Sequence, residues 1–329
     1  MRWEGTQVFI TGAGGFIGSH LVERLVEMGA QVRALVRYNS RNDWGLLELL
    51  PPAVKERLEV VAGDITDPFG VSRALVGCKV VFHLAALIAI PYSYIAPSQY
   101  LAVNCSGILN LLEAARQQGV ERLVHTSTSE TYGTAQYTPI DEKHPLKGQS
   151  PYAASKIGAD KLAESYYLSF GVPVATIRPF NTYGPRQSAR AIIPTIISQA
   201  LTGEVIRLGS LTPVRDLNYV SDIVEGFIKV AESPRAIGEV INVGSGKSVS
   251  IGELAERIVG MVGGDKRIVT EDERVRPEAS EVMELLCDNR KARELVGWEP
   301  RVNLEKGLSR TLGFIQDNLS RYKPEIYNV

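Results

Sequence analysis

A cluster of glycines near the N-terminus constrains this chain more than any other segment. Val8-Phe-Ile-Thr11 is a short apolar run. Gly12, Gly14, Gly15 and Gly18 follow at close spacing, and an amphipathic pattern continues to about Met28. Strand, tight turn and helix form the setting in which such a glycine pattern holds a dinucleotide. Gly12 would permit the turn, Gly15 would let the backbone approach a pyrophosphate, and Gly18 would let helix pack closely on strand. The phosphates would then meet the helix N-terminus, where unpaired N–H groups favour an anion. The bland alternative is a glycine-rich turn that holds nothing.

Beyond that start, apolar strands alternate with amphipathic helices. Strands are expected over 7–11, 31–36, 58–62, 80–84, 122–127 and 173–177, with helices over 15–28, 100–118 and 152–170. This rhythm predicts an α/β fold with a doubly wound parallel sheet covered on both faces. After Arg178 the rhythm loosens. Helices are expected over 192–201, 221–232, 251–262 and 304–319, with short strands over 205–208 and 240–243. Residues 1–178 thus read as a dinucleotide-binding domain. Residues 179–329 read as a smaller mixed α/β substrate-binding lobe, partly interleaved with it and lying over the carboxyl ends of the strands.

Charge and cysteine usage narrow the partners. The formal net charge is -1 with no basic tract, so nucleic acid is not an expected partner. Cys78, Cys105 and Cys287 lack metal-ligand spacing, which predicts no metal centre, no disulfide framework and a reducing compartment. The first residues carry no apolar signal core, and no run approaches membrane-spanning length. The expectation is a cytoplasmic protein without a membrane partner.

Tyr152 and Lys156 lie four residues apart in Ser150-Pro-Tyr-Ala-Ala-Ser-Lys156. On a helix they share a face. A free phenol has a pKa near 10, and a cation held close favours the phenolate. Forming that phenolate at neutral pH needs about 4 kcal/mol of differential stabilisation. The spacing therefore predicts a tyrosine of lowered pKa, able to take the proton of a secondary alcohol while hydride leaves the same carbon. An ordinary surface pair is the alternative.

The end of the second strand distinguishes NAD from NADP. Here Val36-Arg37-Tyr-Asn-Ser-Arg41 offers no carboxylate for a ribose diol, and two arginines suited to a 2′-phosphate. NADP is the expected cofactor, NAD the alternative. Asp64, after the third strand, either bonds the adenine or caps the turn that follows. After the fifth strand, Thr128-Ser129-Glu130 places two hydroxyls and a carboxylate where side chains enter a ligand crevice. A carboxylate has no task in simple alcohol oxidation. It becomes useful once a ketone has acidified the neighbouring C–H. Glu130 is the candidate general base, with Thr128 and Ser129 bonding an oxyanion or relaying a proton. The alternative is a polar turn with Glu130 solvated or paired with Arg178.

Taken together, these residues resemble the extended short-chain dehydrogenase/reductases, specifically the sugar-nucleotide epimerases and dehydratases. The resemblance runs through Thr11–Gly18, His83-Leu-Ala-Ala86, Asn104, Tyr152 to Lys156 and Arg178-Pro-Phe-Asn-Thr-Tyr-Gly-Pro185. It continues through Arg215 to Asp222, Asn242 to Gly246, Arg276-Pro277 and Gly297-Trp-Glu-Pro300. It implies a Rossmann fold with the dinucleotide held by Gly12, Gly15, Phe16, Ile17, Gly18, Arg37, Asp64, Ile65, Leu84, Ala85, Ala86 and Pro179, and by Tyr152 and Lys156. Phe180 would join Pro179 at the nicotinamide, and Lys156 would hold the ribose. Thr128 and Tyr152 would contact the sugar's carbon-4 oxygen, Asn181 the pyrophosphate, and Arg215 and Arg276 its charge. The helices near 100–118 and 152–170 would pair two subunits into a homodimer.

Thr128-Ser129-Glu130 is similar to the triad of the 4,6-dehydratases, including the GDP-mannose type, and simple carbon-4 epimerases usually lack its glutamate. Leu87-Ile-Ala-Ile-Pro-Tyr-Ser-Tyr94 and Gln187-Ser-Ala-Arg-Ala-Ile-Ile-Pro194 are more like dehydratases of N-acetylglucosamine nucleotides. Ile90 and Arg190 thereby become candidate substrate contacts. The expected activity is conversion of a UDP- or GDP-N-acetylglucosamine to its 4-keto-6-deoxy sugar. The rivals are a UDP-glucuronate decarboxylase, a carbon-4 epimerase and a non-catalytic NADP-binding module.

Overall fold

The computed structural model describes residues 1–275 and 277–326. Seven strands build the main sheet: β1 (Gln7–Thr11), β2 (Gln31–Arg37), β3 (Leu58–Gly63), β4 (Val80–His83), β5 (Arg122–Thr126), β6 (Val174–Pro179) and β7 (Val240–Val243). Their spatial order is β7-β6-β5-β4-β1-β2-β3, and every pairing is parallel. Parallel neighbours require crossovers. Among the helices are α1 (Phe16–Glu27), α2 (Pro68–Leu75), α3 (Gly107–Gln118), α4 (Pro151–Phe170) and α5 (Val220–Glu232).

Strand residues of opposite parity feed the two faces. Val8, Ile10, Phe82 and Val124 pack in one core with Leu21 and Leu25 of α1 and Phe227 of α5. Phe9, Val81, Leu123 and Val174 pack in the other with Leu111 of α3 and Ala159 and Ala163 of α4. Burial on both faces explains why these strands read as continuous apolar runs. The doubly wound α/β fold is therefore the one that the alternation predicts. Strand order reverses between β1 and β4, which opens a crevice at their carboxyl ends.

Two elements differ from the sequence expectation. The helix expected over 100–118 contains a π-helical turn, Leu101–Ser106, before α3 begins. Asn104 lies in that turn, and its side chain reaches inward. Its Oδ1 accepts from Leu87 N at 2.9 Å, and its Nδ2 donates to Leu87 O at 3.0 Å and Ser155 Oγ at 2.9 Å. π-turns inside helices commonly mark such local demands. The segment 240–243, expected among the later short strands, is instead the edge strand β7, bonded to β6. Beyond β6, smaller sheets join Val205–Leu208 with Arg267–Thr270, and Val214–Arg215 with Val249–Ser250 and Glu284–Leu285. Among the described residues no helix is long and apolar enough to cross a membrane.

The glycine turn is dictated by contact. Gly12 has φ +70°, and a Cβ there would lie 2.6 Å from the Ala85 nitrogen beyond β4. A Cβ at Gly18 would overlap the Gly12 carbonyl oxygen. Gly18→Ala is accordingly expected to destabilise the protein by about 3 kcal/mol, because backbone on both sides leaves little room to relax. Thermal unfolding checks this, and an unchanged midpoint would contradict it.

Candidate active site

A cleft of about 1190 Å³ runs along the carboxyl edge of the sheet. At one end α1 starts from Gly15 with no side-chain cap and no acidic residue in its first turn. Its first N–H groups are therefore left for an anion. The loop after β2 folds back on the glycine turn, with Leu46 N bonded to Gly14 O at 2.9 Å. Asn39 organises that loop. Its Oδ1 accepts from Arg41 N and Asp43 N, and its Nδ2 donates to the Arg37 and Asp43 carbonyls. Arg37 and Arg41 both line the cleft; Arg41 is 83% exposed, with Asp43 at 3.8 Å. Asp64 also lines the cleft. Its Oδ1 accepts from Thr66 N and Oγ1, and these bonds, the backbone one foremost, hold its carboxyl below the usual value.

The candidate catalytic groups converge in the middle. Thr128 ends the extended segment after β5 and caps the turn Ser129–Tyr132, its hydroxyl accepting from Glu130 N at 3.2 Å. Ser150 caps α4 through Ala153 N, which aims the first turns of that helix, with Tyr152 and Lys156, at the strand ends. Thr128, Ser129, Glu130, Tyr152 and Lys156 all line the cleft. Glu130 is half-buried. It is not the partner of Arg178, whose guanidinium bonds Asp160 at 2.7 Å and lies over the Tyr132 ring.

The phenol differs from the sequence expectation. Burial pushes Tyr152 well above the ordinary tyrosine range; the neighbouring Thr128 side chain opposes this, and the Glu130 and Asp160 carboxylates add to it. The expected lowering by Lys156 is absent because the ammonium donates to the Thr126 carbonyl at 2.6 Å. Burial also brings Lys156 down to about 8, the Asp160 carboxylate opposing that fall. Without a further positive charge, Tyr152 stays protonated.

Gly12, Gly15, Phe16, Ile17, Gly18, Ile65, Leu84, Ala85, Ala86 and Pro179 line the same cleft, as do Ile90, Asn181, Arg190 and Arg215. Arg276 lies outside the described residues. Arg215 bonds Glu281 at 3.1 Å, and Ile90 packs with Tyr100 and Tyr152. The sequence reading passed over Trp44, Arg207 and Glu281, which also line the cleft. Trp44 and Glu281 come from loops and Arg207 from the short strand Val205–Leu208, all brought there by the fold, and no spacing marks them. Buried side-chain oxygens of Thr126, Asn181 and Gln187, all lining residues, have no hydrogen-bond partner. Buried polar atoms are normally bonded, so the cleft fits a ligand rich in polar groups. An uncapped helix start at one end and arginines at the other fit a dinucleotide beside a nucleotide sugar.

Comparison with known proteins agrees. Residues 9–311 match the family model described as GDP-mannose 4,6 dehydratase. The UDP-glucose 4-epimerase of Mycolicibacterium smegmatis is 36% identical over 94% of this chain and 99% of its own length. The dTDP-glucose 4,6-dehydratase of Streptomyces griseus is 33% identical over 97% of each chain. The NAD-bound structure of the dTDP-glucose 4,6-dehydratase DesIV of Streptomyces venezuelae superposes with a TM-score of 0.86 at 30% identity, covering 97% of this chain and 99% of that one. The chain therefore belongs to the GDP-mannose 4,6 dehydratase family and is an enzyme of the NAD-dependent sugar-nucleotide dehydratase and 4-epimerase group.

Proposed function

We propose that the protein is a cytoplasmic nucleotide-sugar 4,6-dehydratase that acts on a UDP- or GDP-N-acetylglucosamine. In this reading residues 1–178 hold the dinucleotide and residues 179–329 the nucleotide sugar. One observation carries it: the Glu130 carboxylate, not paired with Arg178, sits in the cleft beside Thr128 and Tyr152. A nicotinamide dinucleotide bound there would accept hydride from carbon 4 of the sugar and return it to carbon 6. Tyr152 takes the proton of the carbon-4 hydroxyl, with Thr128 bonded to the same oxygen. Glu130 removes the proton from carbon 5, now acidified by the adjacent carbonyl. Ser129 assists departure of the carbon-6 hydroxyl as water. Asn181, Arg215 and Arg276 receive the diphosphate. The apolar wall of Leu87 and Ile90 supports an acetamido methyl as the group received, with Arg190 also lining the cleft.

Mass spectrometry after incubation with a panel of nucleotide sugars tests this. Loss of the mass of one water from an N-acetylglucosamine nucleotide is the expected result. The identity to a UDP-glucose 4-epimerase favours epimerisation as the second reading, which would give a product of unchanged mass. Release of carbon dioxide from UDP-glucuronate would instead identify a decarboxylase.

NADP preference is part of the proposal. Support comes from Arg37 lining the cleft and from an Asn39 side chain already committed to its own loop. Arg37→Ala is expected to weaken NADP binding about 10- to 100-fold, the value of one or two charge-assisted bonds, and to leave NAD binding nearly unchanged. Calorimetry with both dinucleotides checks this, and equal losses would contradict it. A homodimer is supported by exposed apolar side chains on the helices expected to pair: Leu101, Leu109, Leu168 and Phe170. Sedimentation is expected to give twice 36.0 kDa, and Leu168→Asp to shift the protein toward monomer.

A further inference from the structure

Behind the Tyr152–Lys156 pair lies a buried ionic cluster that the proposed reaction does not use. Asp160 follows Lys156 by four residues, on the face of α4 turned to the sheet. It is 6% exposed. Its Oδ2 accepts from Ser127 Oγ at 2.6 Å and Arg178 Nη2 at 2.7 Å, and its Oδ1 faces His125 Nε2 at 3.1 Å. Arg178 Nε also donates to Ser127 Oγ at 3.2 Å. β5 and β6 are thereby tied to α4 at the point where both strands enter the cleft. Lys156 and Arg178 are two cations, each under 5% exposed, sharing this region with one equally buried carboxylate.

The surroundings fix the charge balance. Tyr152 faces the pair from α4, Cys105 from the π-helical turn, His83 from β4, His125 from β5 and Glu130 from the turn after β5. Burial pushes both histidines down, so they stay neutral. The Cys105 thiol is raised by burial and stays protonated. Asp160 stays ionised: burial alone would raise it, but His125, Arg178 and Ser127 together hold it well below the usual carboxylate range. Asp160 is thus the one fully buried anion available to Lys156 and Arg178 among these groups.

We propose that Asp160 is a positioning residue for the proton- and hydride-transfer steps: its carboxylate balances one of two buried cations and so keeps Lys156 an ammonium beside Tyr152. This rests on the roles of Tyr152 and Lys156 given above. The same negative charge acts on the phenol, so Asp160 opposes deprotonation of both groups. Removing it favours the phenolate and the neutral amine alike.

The two limbs of the pH profile therefore report on it. In Asp160→Asn, with volume retained, both limbs of kcat/KM are expected to move to lower pH by about one unit, the effect of one charge at close range in a protein interior. In Arg178→Gln the opposite charge of the same pair is lost, and both limbs are expected to move to higher pH. Asp160→Glu restores the charge and is expected to restore the limbs. Should one neutralising variant not fold, the other still decides. UDP- and GDP-N-acetylglucosamine are the probes, and the wild-type profile is the reference. A loss of rate with both limbs unmoved, in whichever variants fold, would overturn the role of Asp160 and reduce it to a structural tie. No wild-type turnover of either probe would instead count against the functional reading itself.

Discussion

Glu130→Gln is expected to yield a protein that still reduces bound dinucleotide on mixing with substrate but releases almost no dehydrated sugar. The two halves of the reaction call on different groups. Oxidation at carbon 4 needs the phenol and a hydride acceptor, and both survive the substitution. Elimination needs a base at carbon 5, and an amide cannot serve. A positioned general base contributes about 10²- to 10⁴-fold, so product formation is expected to fall about 10³-fold. The fold should be unaffected, because Arg178 bonds Asp160 and not Glu130. Rapid-mixing absorbance of the reduced nicotinamide, alongside mass analysis of the sugar, separates the halves. Full dehydratase activity in this variant would refute the assignment of Glu130.

Tyr152→Phe is expected to abolish both halves. The ring would still pack edge-on against Tyr100, whose centroid lies 6.2 Å away. Loss of the oxygen alone removes the acceptor for the carbon-4 hydroxyl proton. The expected fall is about 10³- to 10⁴-fold, for the reduction burst as well as for product. The contrast between the variants is the useful result: one stops after oxidation and the other before it. A burst retained in Tyr152→Phe would move the proton acceptor to another group, Thr128 being a candidate because its side chain lines the same part of the cleft.

The phenol also shows where sequence reading meets its limit. Spacing alone placed Tyr152 and Lys156 on one face of a helix, and the structure has them there. Spacing could not give the dielectric. Both groups are almost fully buried, and at such sites desolvation outweighs a single neighbouring cation, particularly one whose ammonium is turned to the Thr126 carbonyl. The strands of the sheet were legible because burial on both faces leaves continuous apolar runs. The place of β7 was not, because three apolar residues and an asparagine carry no information about which strand they will join. Trp44 and Glu281 were hidden for a similar reason. Each sits in a loop, and loops report local turn chemistry rather than distant neighbours. Asp160 was passed over because a lone carboxylate on a helix usually faces water, and only the tertiary structure turns this one inward.

The late arrival of β7 bears on how the chain is made. A nascent polypeptide that has emerged only as far as β6 carries Val174–Pro179 as an open edge, with backbone donors and acceptors unmatched on one side, and such edges invite pairing between chains. The ribosome must add some sixty residues more before Val240–Val243 can close it. A truncated product ending before that strand is therefore a poor candidate for soluble expression, and fragments meant to carry the nucleotide-binding half alone need to reach beyond Val243.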